Sequence, residues 1–388
     1  MRFTAAGGAA KRPIVFYWEN FGPMHIDRCK AVMQSMHERR VVGLEMWSRS
    51  RTYEWAAAAT VPFQKITLFS EADKPGTVAR LRRLLQICRE IGRGDYFLCN
   101  YQDVETLLLA IALRLSGSRV YVMWLSKFDD YHRYLWRELG KSVFLKPYHG
   151  AISSGVRAKD YLRFLGIRSD SIAGEYNTLS IDRVQKAANR VPAPGGTPFQ
   201  ERSFVAVARL VPKKNISMLL DAYDTYRHAE PAPRPLVICG SGPLEGELVA
   251  KARELGLDHL VSFRGFLQSD AISAVLAESL CLLLPSIEEQ FGNAVIEAQA
   301  MGLPVILSDN CGARDLLVRN GVTGFVVEPD NPEGMAWFML QLARDEALWR
   351  RMSERALAGA HLGDVSQFVR GVQRLVALNA PTDRSKRA

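Results

Sequence analysis

Residues 280–309 read LCLLLPSIEEQFGNAVIEAQAMGLPVILSD, and the succession of textures within them decides the fold. LCLLLPS (280–286) is an apolar run of strand length, IEEQFG is a loop, a helix opens near Asn293, and PVILSD (304–309) is a second apolar strand. A buried strand, a covering helix and another buried strand make the unit of a parallel sheet. The same alternation runs outward through the chain. The second half offers FVAVAR (204–209), PLVICG (235–240), LVSFRG (260–265) and GFVVEP (324–329) as further strands. The first half offers PIVFYW (13–18), VVGLEMW (41–47), DYFLCN (95–100) and RVYVMWL (119–125). The expected class is α/β, with two tandem doubly wound, Rossmann-like domains facing each other across a cleft.

A chain of 388 residues exceeds what one hydrophobic core usually supports, so two domains are expected. RVPAPGGTPF (190–199) carries three prolines and two glycines and can continue neither helix nor strand. It divides the chain into a first domain over 1–192, a linker over 193–198 and a second domain over 199–365. Residues 366–388 form a C-terminal helix and a frayed tail, APTDRSKRA.

The composition, 48% hydrophobic and 23% charged, is that of an ordinary globular protein. The most apolar runs, VETLLLAIALRL and SLCLLLPSI, are too short to cross a bilayer. The N-terminal stretch lacks a compact apolar run followed by a small-residue cleavage site, so a cytoplasmic address is expected. Cysteines 29, 88, 99, 239, 281 and 311 form no Cys-x-x-Cys pair, against both a disulfide framework and a zinc site.

Net charge is +9, unevenly placed: residues 1–190 hold 30 Lys/Arg against 18 Asp/Glu, leaving 20 against 23 for the rest. The basic excess of the first half suits an anionic membrane surface, a phosphorylated substrate or nucleic acid; an Arg-rich soluble surface is the plain alternative. GTVARLRRLLQICREIGRG (76–94) is a basic amphipathic helix that either lies on an anionic membrane or covers a sheet. Taken with the charge, it tilts the expectation towards a peripheral membrane protein. The basic residues are not interleaved with aromatics in a reading module, so no nucleic-acid partner is expected.

Ligands of open parallel sheets bind outside the carboxyl ends of the strands. Arg209 ends one strand and Lys214 follows just before a helix, two cations suited to a diphosphate or, taken alone, to solvent. CGSGPL places Gly240 and Gly242 in a turn opening a helix, where backbone can approach a ligand. The third glycine of a dinucleotide fingerprint is missing, against a dehydrogenase. Backbone around Arg264 in SFRGFL is placed to read the edge of a base, or is an ordinary strand and turn. The amides of Gly292, Asn293 and Ala294 open a helix towards phosphate or hydroxyls. Glu297 lies one turn further on, placed for a ribose diol, and Glu289 sits on the loop; read singly, both are also ordinary solvated or helix-favouring carboxylates.

Taken in order, these motifs resemble the GT-B-fold retaining glycosyltransferases of family 4. The family's Glu, seven residues and second Glu read here as EQFGNAVIE, Glu289 to Glu297. Its Arg and Lys match Arg209 and Lys214 in RLVPKKN, its Gly-rich turn matches GSGPL, and its later loop matches CGARDLLVRNGVTGFVVEPDN. The resemblance covers residues 204–332. It implies transfer of a sugar from a nucleoside-diphosphate sugar, used as co-substrate, to a glycan or lipid-linked acceptor in polysaccharide or glycolipid assembly. It also implies that Arg209 and Lys214 neutralise the diphosphate, that Glu289 binds sugar hydroxyls, that Glu297 holds the ribose, and that Phe291, Gly292, Asn293 and Ala294 meet the sugar or phosphate. No Asp-x-Asp occurs, so no metal or other cofactor is expected.

On the acceptor side, ENFGPMHIDRCKAV brings Gly22 and His25 to the first strand-helix turn, similar to the family's acceptor-facing loop. Many relatives carry a histidine after the fourth strand, where SKFDDYHRYLWRELGK offers Ser126, Asp130 and Arg133 instead. His149 in KPYHGAISSG is another candidate. A sugar-nucleotide epimerase shares the architecture but requires acid/base groups in the cleft, a nucleic-acid-binding protein is the rival of another class, and Arg209, Lys214, Glu289 and Glu297 speak against a non-catalytic member.

Overall fold

The computed structural model describes residues 11–49, 54–55 and 60–379, which build two parallel sheets. The first sheet comprises β1 (Ile14–Trp18), β2 (Val41–Trp47), β3 (Gln64–Phe69), β4 (Asp95–Leu98), β5 (Arg119–Trp124), β6 (Gly150–Ser153) and β7 (Ile172–Ala173). The second comprises β8 (Ser203–Val207), β9 (Leu236–Cys239), β10 (Val261–Phe263), β11 (Ser279–Leu284), β12 (Val305–Ser308) and β13 (Gly324–Val327). Their orders are β3-β2-β1-β4-β5-β6-β7 and β10-β9-β8-β11-β12-β13. Each order reverses direction once, at β1/β4 and at β8/β11, and these reversals position the site.

The ten strands expected from apolar runs are all present, because strands such as β1, β4, β5 and β11 are buried along their whole length and read as continuous hydrophobic segments. Three strands of the first sheet escaped that reading. β3 is an edge strand whose polar residues have a local partner: Lys65 and Thr67 reach the buried Glu45 of β2 at 2.8 and 2.6 Å. β6 is four residues long, GAIS, with Ile152 its one large apolar side chain, and a Cβ on Gly150 would stand 2.5 Å from the Ser171 carbonyl. β7 is two residues long.

The helix Val365–Leu378 returns from the second sheet to the first. Its Phe368, Val372 and Leu375 join Phe16, Phe97 and Tyr121 in one core, and the Tyr121 hydroxyl donates to the Leu375 carbonyl at 3.1 Å. The segment 193–198 packs on the second domain, where the buried Arg202 donates to the carbonyls of Gly195 (2.6 Å) and Thr197 (2.9 Å). All six cysteines are free thiols. Among the described residues no helix is long and apolar enough to cross a membrane. The N-terminal residues 1–10 and the tail 380–388 lie outside the described residues.

The basic helix expected over 76–94 spans Thr77–Ile91 and buries Leu84, Ile87 and Cys88 in the first domain's core, so its apolar face covers the sheet. Val78 is the large apolar side chain it exposes.

A candidate active-site cleft between the two sheets

The carboxyl ends of both sheets face one cavity of about 470 Å³. The second domain lines it with Arg209 and Lys214 after β8, Gly240 after β9, and Glu289, Phe291, Gly292, Asn293, Ala294 and Glu297 after β11. Nine of the sequence candidates of that domain thus converge.

Lys214 closes a short 3-10 turn, Pro212–Lys214, held by the next residue. Asn215 adopts a left-handed conformation at φ 57° and its side-chain amide donates to the carbonyls of Pro285 (3.3 Å) and Pro329 (2.7 Å). That ties the turn to the ends of β11 and β13. Lys214 is thereby presented to Glu289, with which it forms an ion pair. The Glu289 loop is braced from behind by the segment that follows β12: Gly312 N–H donates to the Glu289 carbonyl (3.1 Å) and Ala313 N–H to the Phe291 carbonyl (2.8 Å).

Gly292 caps the helix Asn293–Ala300 at φ 102°, and a Cβ there would stand 3.0 Å from Cys311 Sγ. The amides at this helix start have no intrahelical acceptor and open on the cavity. Glu297, one turn on, has Arg183 and Asp27 for charged neighbours. Arg183 donates to Asp27 at 2.9 Å and to Ser269 Oγ at 2.9 Å. Burial pushes the Glu297 carboxyl up to about 7, the Arg183 cation opposing and the Asp27 anion adding to the rise.

Gly240 and Gly242 serve a different contact from the one expected. A Cβ would stand 1.8 Å from the Ala208 carbonyl at the first and 2.4 Å from the Leu210 carbonyl at the second. They let the β9 loop lie against the loop carrying Arg209, which is how that arginine is placed; Gly242 itself is not on the cavity wall. Arg264 is exposed, and its N–H is spent on the Ile238 carbonyl at 2.9 Å. Phe266, Leu267 and Ser269, just beyond it, form the wall instead.

From the first domain, the cavity receives Trp18, the last residue of β1, with Glu19 and Asn20 after it, Cys99 and Asn100 after β4, and His25 and Arg28 from the helix Pro23–Ser35. Gly22 caps that helix and donates its N–H to His25 Nδ1 at 2.9 Å, which leaves the imidazole proton on Nε2. A Cβ on Gly22 would strike the Trp55 ring at 2.5 Å. Burial, with the Arg28 cation adding to it, holds His25 well below the ordinary imidazole range, so the ring is neutral.

Arg28, which the sequence places with His25 near the start of this helix, is a buried cation on this wall. Its Nε donates to the Thr178 carbonyl at 3.2 Å and its guanidinium lies 4.5 Å from the Tyr176 ring. Its spacing from His25, one helical turn, was the available signal. Asn177 donates to Asn293 at 2.9 Å across the cleft.

The remaining first-domain candidates do not meet in this cavity. Ser126 lines an adjoining cavity of about 630 Å³, with Tyr101 at 2.9 Å from its hydroxyl. Asp130 is turned inward, accepting from Lys127 N–H at 2.7 Å, and burial raises its carboxyl. Arg133 donates to the Phe128 carbonyl at 2.8 Å and lies 4.7 Å from the Tyr161 ring, a packing role. His149 precedes β6 at the amino end of the sheet, away from the cleft, where its Nδ1 accepts from Val120 N–H at 3.1 Å.

Residues 191–358 match the family described as glycosyl transferases group 1. A D-inositol 3-phosphate glycosyltransferase of Streptomyces bingchenggensis is 28% identical over 239 residues, covering 56% of this chain and 52% of its own. A glycosyltransferase of Methanocaldococcus jannaschii, MJ1607, is 32% identical over 142 residues, covering 37% of this chain and 36% of its own. The chain therefore spans between a third and about half the length of these curated relatives. Anabaena Alr3699/HepE, solved with UDP and glucose, superposes with a TM-score of 0.71 at 18% identity, over 95% of this chain and all of that one. The fold is GT-B, and residues 191–358, the second of its two domains, are similar to the group 1 glycosyl transferases.

Proposed function

We propose that this chain is a retaining glycosyltransferase of family 4. It transfers a sugar from a nucleoside-diphosphate sugar to a hydroxyl of a glycan or lipid-linked acceptor, in the assembly of a cell-surface polysaccharide or glycolipid. It acts in the cytoplasm, on the inner face of an anionic membrane. The observation that carries the reading is the convergence of Arg209, Lys214, the helix start at Gly292–Ala294 and two carboxylates in one cavity at the turning point of a parallel sheet.

Each group has a task that its position supports. Arg209 and Lys214 face the diphosphate and stabilise the charge that grows on it as the glycosidic bond to phosphate breaks, an effect worth about 3 kcal/mol for one well-placed donor. The helix amides add to this field. Glu297 accepts from the ribose hydroxyls. Glu289, released when Lys214 turns to phosphate, accepts from the sugar. His25, neutral with its proton on Nε2, donates a hydrogen bond from the opposite wall. With two side-chain cations on the diphosphate, transfer proceeds without a divalent metal, and full activity in excess chelator is expected. Sugar-nucleotide turnover with candidate acceptors tests the whole reading, and binding of UDP, GDP or ADP by thermal shift tests the donor half.

A further inference from the structure

The first domain carries part of its apolar surface outward. The helix Leu135–Phe144 buries one side chain, Glu138, which is tied to Lys141 at 2.8 Å and to the Tyr161 hydroxyl. Its Leu135, Trp136, Leu139 and Val143 stand 71, 68, 61 and 59% exposed. At helical spacing these four share one stripe about 100° wide, the width by which a surface helix normally faces its core, here turned to solvent. The helix Val104–Leu115, which buries Leu109, Ala110 and Leu113 in the first domain's core, repeats the pattern on its other side: Val104, Leu108, Ile111 and Leu115 are all exposed at i, i+4, i+7 and i+11. The two helices are joined at their carboxyl ends, where Arg114 donates to the Pro147 carbonyl at 2.8 Å.

We propose that these two helix faces dock the first domain on an anionic lipid membrane. Exposed apolar stripes of this size mark an interaction surface. The charge around them selects the partner: Arg114, Arg137 and Lys146 are exposed beside the stripes, and Arg137 lies 5.0 Å from the Trp136 ring. A Trp beside basic side chains suits the level of lipid headgroups. A second copy of the chain would set these cations against their own kind, whereas an anionic surface attracts them.

The placement has a consequence for the acceptor. Asp103, which precedes the first of these helices, and Tyr131, which precedes the second, both line the cavity of about 630 Å³ that adjoins the cleft. Docking would set the mouth of that cavity at the lipid surface, where a lipid-linked acceptor is presented. This step alone rests on the transferase reading; the docking does not.

Co-sedimentation of the full chain with vesicles tests the docking without any sugar donor. Binding is expected to vesicles of phosphatidylglycerol and phosphatidylcholine, and to fall at least about tenfold on phosphatidylcholine alone or in high salt. Leu135→Ser/Leu139→Ser/Val143→Ser should lower binding by about tenfold or more, with a melting temperature within about 2 °C of the parent, since the three side chains are exposed. Arg82→Ala/Arg89→Ala, on the helix whose apolar face is buried, should change binding less than about twofold. Failure of the parent to bind anionic vesicles, undiminished binding by the triple variant, or a parent dimer that the triple variant dissolves would each overturn the proposal. Loss of nucleotide binding by the parent would instead strike the transferase reading.

Discussion

Lys214 is ion-paired to Glu289 at the mouth of the cleft, the two side chains 13 and 12% exposed. Each charge is engaged by the other, so a diphosphate bound at Lys214, as we propose, would draw the ammonium from the carboxylate. The pair would then couple arrival of the phosphates to release of Glu289 towards the sugar.

Lys214→Ala removes a cation from the diphosphate and leaves the Glu289 carboxylate unpaired. We expect kcat to fall about 10²- to 10³-fold and stability to drop by about 3 kcal/mol. Adding Glu289→Gln should restore the melting temperature and none of the turnover. Lys214→Ala with parental kcat and nucleotide affinity would remove the lysine from the diphosphate.

Glu297 sets a pH dependence whose sign follows from its raised carboxyl. Ribose hydroxyls donate to the ionised form, so donor affinity should rise with pH through about 7 and binding should release a proton, measurable by calorimetry in buffers of different ionisation heat. Stability runs the other way. The folded carboxyl keeps a proton that the unfolded one loses above its ordinary 4.5, so stability present below that value is lost as pH rises through about 7. Glu297→Gln should raise the melting temperature near pH 8 by roughly 2–5 °C and abolish the pH-dependent part of donor binding. Flat donor affinity in the parent between about pH 6 and 8 sinks the ribose role.

The second domain's half of the cleft was legible because each of its groups sits a fixed few residues past a strongly apolar strand, as Arg209 follows FVAVA and Glu289 follows LCLLL. The same patterns were blind to contacts made between loops. Gly240 and Gly242 read from the sequence as ligand-facing glycines; Gly240 does line the cavity, but the close approach of the Ala208 and Leu210 carbonyls, which requires both glycines, left no mark in the sequence. In the first domain the wall is assembled from Trp18, Arg28, Asn100 and Asn177, four separate segments with no shared spacing. His149 stood out for its chemistry and lies at the amino end of β6, a position the sequence did not reveal because that strand offers only Ala151 and Ile152 between Gly150 and Ser153, too short an apolar run to be read as a strand.

His25 should not titrate in the physiological range. Burial and the Arg28 cation hold it neutral, and its Nδ1 is occupied by the Gly22 N–H. Its ring proton resonances should stay constant from about pH 6 to pH 8. A midpoint near the ordinary imidazole value would mean that this wall is wet and that His25 is open to acid/base duty.

Gly292 is under two constraints that a control can separate. Its φ of 102° strains any other residue, and a Cβ would press on Cys311 Sγ at 3.0 Å and Leu284 Cδ2 at 3.1 Å. Gly321, at φ 75°, meets nothing within 4 Å and carries the backbone constraint alone. Gly321→Ala should cost about 1 kcal/mol. Gly292→Ala should cost more, up to about 3 kcal/mol, and should weaken nucleoside-diphosphate binding as well, because the shift turns the amides of Asn293 and Ala294 away from the cavity. Chemical denaturation and calorimetry on the two variants read both quantities. Equal destabilisation with unchanged nucleotide affinity in Gly292→Ala would show that the helix start does not touch the ligand.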